Sequence, residues 1–303
     1  MAVNMQIELC GKTLKNPVIA ASGTFAFGVQ HGWFIDVSRL GGIALKSLTR
    51  EKRIGNAPPR IAETPSGIVN SVGLQNPGVD AFLESDLKKV KKLGTALFAN
   101  IAGSSIEDYV YVVKRLNETD IDFFELNISC PNVKEGGVSF GTDEKLAAEC
   151  TSACKAAAEK PLIVKLTPAA GDVVRIAKAV DDAGADAVSL INTIPAMAVD
   201  VRRKRPILGN VTGGLSGPCI KPVALKMVCD VSKAVSIPVI GMGGIMTGED
   251  AAEFMLCGAS CVMTGTANLT DPSASLRVID ELEALAASMN IDNISALTGA
   301  LEV

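Results

Sequence analysis

Eight short, nearly unbroken apolar runs punctuate the chain, at 17–22, 42–48, 96–103, 123–130, 162–167, 187–192, 238–243 and 261–266. They do not alternate polar with apolar as a strand with one wet face does. Each therefore reads as a strand covered on both faces, the pattern of a parallel sheet packed under helices. Segments with helical spacing lie between them, at 106–117, 143–159, 172–183, 221–234 and 248–257, several opened by a Ser, Thr or Asp that can cap a helix start. Eight strand-then-helix units predict an α/β fold of the (β/α)8, or TIM, barrel type. A barrel of that kind uses the whole chain, so residues 1–303 are expected to form a single domain.

Three stretches fall outside this period. Residues 6–10 and 12–15, around Gly11, predict an N-terminal β-hairpin plugging one end of the barrel. Long inserts follow strands 2 and 6, at 49–80 and 193–217. Both follow a strand, so both should rise over the carboxyl-terminal mouth, where barrel enzymes build their sites, and cover a ligand there.

Polar residues at the ends of the apolar runs are the candidate chemistry: Ser22, Lys46, Ser47, Asn100, Asn127, Lys165 and Asn192. A lysine inside a buried strand, as at Lys165, must meet an anion or lose its charge. Either a ligand or a neighbouring carboxylate can supply that anion. Gly241-Met-Gly-Gly-Ile245 and Thr264-Gly-Thr266 follow strands 7 and 8, where this architecture cradles a phosphate on backbone amides. Sugar phosphates and flavin mononucleotide (FMN) both suit such a cradle. Cys130 closes the fourth run and is followed by a loop with Gly136, Gly137 and Gly141, a reactive thiol beneath a predicted lid.

Composition narrows the chemistry. A formal net charge of −4 argues against a nucleic-acid partner. Eight cysteines in 303 residues are too sparse for a disulfide scaffold and read mostly as small core residues, and with one histidine, His31, a His-rich metal site is excluded. The first ten residues lack the basic-then-apolar order of a leader, and no run approaches the roughly 20 apolar residues of a membrane span, so a cytoplasmic location is expected.

Together, Asn16-Pro-Val-Ile-Ala-Ala-Ser-Gly-Thr24, Lys46-Ser47, Asn70-Ser-Val-Gly-Leu-Gln-Asn-Pro-Gly78, Asn127-Ile-Ser-Cys-Pro-Asn132, Lys165-Leu-Thr-Pro168, Ile191-Asn-Thr193 and the two glycine turns resemble the class 1 dihydroorotate dehydrogenases, most closely the NAD-linked 1B type. The resemblance spans essentially the whole chain. It implies oxidation of (S)-dihydroorotate to orotate in UMP biosynthesis, with hydride passing to FMN and Cys130 as the general base. By the same resemblance, Ser22, Lys46, Ser47, Asn100, Asn127, Lys165, Ile191, Gly217, Gly243, Gly244, Gly265 and Thr266 hold FMN. Lys46, Asn70, Ser71, Val72, Gly73, Leu74, Asn127, Asn192 and Thr193 hold the substrate.

The 1B type further implies a homodimer core joined by a separate subunit with FAD and a [2Fe-2S] cluster, a heterotetramer, which carries electrons to NAD. The wording of the lid, Val133-Lys-Glu-Gly-Gly-Val-Ser-Phe-Gly-Thr-Asp143, favours 1B over the fumarate-linked 1A type. The basic run Arg202-Arg-Lys-Arg205 is either a docking patch or a solvated loop face. Two rivals stand beside this reading: a non-redox aldolase or synthase with Lys165 as a Schiff base, and a catalytically silent barrel scaffold.

Overall fold

A computed structural model of the chain describes residues 3–129 and 139–302. Its centre is a closed barrel of eight parallel strands: Val18–Ala20, Gly42–Ala44, Ala96–Ile101, Phe123–Asn127, Leu162–Lys165, Ala187–Leu190, Val239–Met242 and Cys261–Thr264. They pair in chain order, and the eighth closes on the first through Val262 beside Val18. Each strand lies within one of the predicted apolar runs. The laddered part is shorter than the run because the terminal residues turn over the rim. Ser22, Lys46, Ser47 and Asn192 all lie beyond the last laddered residue of their strands, and single bonds such as Leu45 N–H to Phe98 O (2.8 Å) carry the contact onward.

All five predicted helices form, within a residue or two of their expected ends. Ser105, Asp143, Asp172 and Thr247 cap four of them, and Thr247 does so in a reciprocal capping box with Asp250. The periodicity missed Val79–Ser85 and the long Ala274–Ser288, which packs against Gly248–Leu256. Between the first and second barrel strands there are only 3₁₀ turns, at His31–Trp33 and Val37–Arg39.

The hairpin Ile7–Leu9/Lys12–Leu14 forms as expected. Its Cys10 thiol donates to Asp186 O (3.3 Å) and Lys12 pairs with Asp122 (2.9 Å), both just ahead of barrel strands. The hairpin therefore closes the amino-terminal end. At the opposite end the two inserts do something the sequence did not disclose, for they share one antiparallel sheet. Its strand order is Ile194–Ala196, Gly213–Ser216, Gly67–Asn70, Ile61–Thr64, with Gly214 beside Asn70. Ala62, Val69 and Leu208 give it a small apolar core of its own. The basic run lies at the tip of an exposed hairpin, Val199–Asp200/Arg205–Pro206.

The barrel core is continuous, and Phe98 and Phe123 stack within it at 4.3 Å between ring centres, both fully buried. Of the cysteines described, Cys150, Cys154 and Cys261 are buried core residues, whereas Cys219 is exposed. Removing a buried aromatic forfeits its transfer energy and leaves a cavity. Phe98→Ala should therefore lower stability by about 3–5 kcal/mol, read from the shift in urea unfolding.

Candidate active site

The barrel mouth and the insert sheet enclose a cavity of about 1120 Å³. Every described residue among the cofactor and substrate candidates lines it. Ser22, Lys46 and Ser47 come from the first two strand ends, Asn100, Asn127 and Lys165 from strands 3, 4 and 5, and Ile191, Asn192 and Thr193 from strand 6. Asn70, Ser71, Val72, Gly73 and Leu74 descend from the first insert, and Gly217 ends the second. Gly243, Gly244, Gly265 and Thr266 complete the ring. Cys130 and most of the predicted lid lie outside the described residues. The residues flanking that stretch, Ser129 and Ser139, are both on the cavity wall.

Local geometry explains how the polar residues are held. Asn127 Oδ1 accepts from Asn192 Nδ2 (3.2 Å), which also donates to Ser129 Oγ (2.8 Å), tying strands 4 and 6 together at the rim. The fully buried Tyr109 donates its hydroxyl to Asn127 O (2.7 Å). In the first insert the chain turns through Gly73 and Leu74, both at positive φ (75° and 54°). A Cβ on Gly73 would come within 2.6 Å of Asn56. Asn56 in turn donates to Ser71 Oγ (2.8 Å), which makes it the brace of this loop.

The turn after strand 7 is pinned from behind. Asp250 accepts from Met246 N (2.8 Å), Thr247 N (2.9 Å) and Lys221 Nζ (2.6 Å). Gly243 and Gly244 have φ of 130° and 82°, a backbone turn that side chains resist. The N–H groups of Gly243, Gly244, Gly265 and Thr266 donate to no acceptor among the described residues. Unpaired amides on a cavity wall suit the oxygens of a phosphate.

Two lysines face the same space. Burial pushes the Lys46 amine below the ordinary lysine range, and the Lys165 charge nearby pushes it the same way. Lys165 is 6% exposed and has a carboxylate neighbour, Glu125 Oε2, at 4.0 Å. Of the two anion sources considered for Lys165, the neighbouring carboxylate is present, and the side chain also lines the cavity. Asn100 is 1% exposed, and its Oδ1 has no partner among the described residues. These features fit a planar, hydrogen-bonding, phosphorylated group such as FMN: free amides for a phosphate, cations for an electron-rich ring, and an orphaned acceptor for a ring N–H.

Sequence reading missed Glu125, Asn56 and Asp250. Glu125 sits in an apolar run and Asn56 in an insert without periodicity, while Asp250 reads as an ordinary first-turn helix acid. Only the polar residue in a buried strand was a usable signal. His31 lies apart from the cavity lining and stacks on Phe25 at 3.6 Å. No helix among the described residues is long and apolar enough to cross a membrane.

The model for the dihydroorotate dehydrogenase family matches residues 4–286. The chain belongs to the dihydroorotate dehydrogenase family. A protein from Alkaliphilus metalliredigens named dihydroorotate dehydrogenase B (NAD(+)), catalytic subunit, is 53% identical over 299 residues, covering 99% of each chain. One of the same name from Bacteroides thetaiotaomicron is 52% identical over 301 residues, again 99% of each. A crystal structure of DHODH from Eimeria tenella in complex with ferulenol superposes with a TM-score of 0.83, covering 98% of this chain and 88% of the other. At 24% identity, that likeness bears on the fold alone.

The depressed Lys46 pKa has a consequence for stability. The folded chain holds that proton less tightly than the unfolded chain, so the buried charge opposes folding at neutral pH. The penalty fades as pH rises through the folded pKa toward the ordinary value of 10.5. Lys46→Met should stabilise the ligand-free chain at neutral pH, with an advantage that shrinks toward pH 10. Urea unfolding at a series of pH values reads both effects.

Proposed function

We propose that this chain is the FMN-bearing catalytic subunit of an NAD-linked dihydroorotate dehydrogenase, oxidising (S)-dihydroorotate to orotate in pyrimidine biosynthesis, with residues 1–303 working as one catalytic domain. The observation that carries this reading is the convergence, in one cavity, of free backbone amides, two lysines, an orphaned amide acceptor and a rim of asparagines. The names of the similar proteins point to the same reaction.

In this reading the N–H groups of Gly243, Gly244, Gly265 and Thr266 take the cofactor phosphate, with Gly217 and Ile191 shaping the space beside it. Ser22, Ser47, Asn100 and Lys165 hold the ring system. FMN, when bound, supplies an acceptor for the hydride leaving the substrate carbon. Asn70, Asn127, Asn192 and Thr193 offer donors and acceptors to a flat pyrimidine, and the 71–74 turn closes over it. Lys46 brings positive charge to the orotate carboxylate or the ring. Cys130 takes the proton from the carbon beside the carbonyl, since a thiol with an ordinary pKa of about 8.5 is matched to that task near neutral pH. Its neighbour Ser129 on the cavity wall supports a thiol delivered to this space.

Two catalytic chains would form a dimer, joined by two partner subunits with FAD and a [2Fe-2S] cluster that pass electrons to NAD. In this reading the cluster belongs to the partner.

Three outcomes test this. The purified chain should be yellow and should bleach anaerobically on adding dihydroorotate. NAD reduction should appear only with the partner, and fumarate turnover by the chain alone would move it to the 1A type. Cys130→Ser should keep its FMN yet lose about 100-fold or more in turnover at neutral pH, the usual worth of a positioned base. A loss of only a few per cent would remove Cys130 from that role.

A further inference from the structure

Beneath the cavity, four polar side chains from adjacent barrel strands form one layer. Strand pairing sets Asn100 beside Glu125, Asn127 beside Lys165 and Lys165 beside Ser189, so Glu125 lies two residues before Asn127 on the same face of its strand. Glu125 and Ser189 are fully buried and do not reach the cavity, whereas Asn100 and Lys165 do. Glu125 Oε2 accepts from Asn100 Nδ2 (2.6 Å), and Oε1 accepts from Ser189 Oγ (2.8 Å). Lys165 Nζ stands 4.0 Å from Oε2. Barrel interiors are ordinarily filled with branched apolar side chains, and a buried carboxylate is costly unless it is paired and hydrogen-bonded. Glu125 meets those conditions while touching no space a ligand could occupy.

We propose that Glu125 is a positioning residue that fixes the direction of the Asn100 amide and the place of the Lys165 ammonium. An ionised carboxylate only accepts hydrogen bonds, so it draws the Asn100 NH₂ toward itself and turns Oδ1 the other way. That oxygen is the buried acceptor left without a partner. Without the carboxylate the amide can rotate by half a turn and present a donor instead. Lys165, repelled by Lys46 across the cavity, is held on its own side by the same Glu125 charge. The floor therefore offers an acceptor and a cation together, complementary to a ring edge in which an N–H adjoins an electron-rich carbonyl or nitrogen. The pyrimidine edge of a flavin is such a group, so this inference rests on the FMN reading above.

The test uses the chain stripped of its flavin and reloaded, with binding followed by quenching of flavin fluorescence. The probes are FMN and FMN methylated at its ring N–H. The wild-type chain should prefer FMN strongly. Glu125→Gln keeps the size but can donate to Asn100, so it should weaken FMN about tenfold or more, the scale of a lost charged hydrogen bond. It should also collapse the preference over the methylated analogue to within about threefold, a change that a purely structural defect has no reason to produce.

Should Glu125→Gln fail to fold, Ser189→Ala keeps the carboxylate but removes its second anchor, and the same two changes are expected in smaller measure. Unchanged affinity and preference in the variant overturn the inference alone. A wild-type chain that takes up no FMN overturns the functional reading, and this inference with it.

Discussion

Parallel strands joined by helices must all run in one direction, so every strand of a closed barrel delivers its carboxyl end to the same rim. That single constraint assembles the cavity. Residues as far apart in the chain as Ser22 and Thr266 become neighbours because strand 8 pairs with strand 1. The ladder also explains why polar residues can sit there. Backbone groups within the strands are satisfied by pairing, while those just past the last pair, at Gly243, Gly244, Gly265 and Thr266, remain free to meet a ligand.

The rim is also where burial and charge compete. Lys46 and Lys165 face one space, and burial together with the Lys165 charge pushes the Lys46 amine below the ordinary lysine range. The fold answers with one buried carboxylate, placed on strand 4 and braced from strands 3 and 6. Such a layer sacrifices apolar packing in the barrel interior in return for a defined direction at each polar side chain. The same logic recurs at the seventh turn, where Asp250 occupies the amides of Met246 and Thr247 and leaves those of Gly243 and Gly244 for the cavity.

Much of this was legible beforehand because it is written in local pattern. Unalternating runs such as Leu162–Lys165, set between helical segments, read as buried parallel strands, and caps such as Asp143 and Asp172 mark helix starts within a residue. The site candidates were readable for the same reason: a lysine or asparagine closing an apolar run stands out against its neighbours. Asn56 and Asp250 did not stand out, because a polar residue in an insert or at a helix start is ordinary wherever it occurs. Their importance comes from what lies opposite them in space.

The sequence by itself determined the period of eight, the end of the barrel at which chemistry gathers, and the residue types brought there, since strand direction and burial follow from the order and polarity of neighbouring residues. Only the tertiary structure decided that the inserts after strands 2 and 6 pair as one sheet, Gly214 beside Asn70. It alone decided, too, that Glu125 meets Asn100, Ser189 and Lys165 inside the barrel. Antiparallel pairing between distant segments, and the direction of a buried amide, are set by partners far away in the chain. No local periodicity encodes which partner arrives.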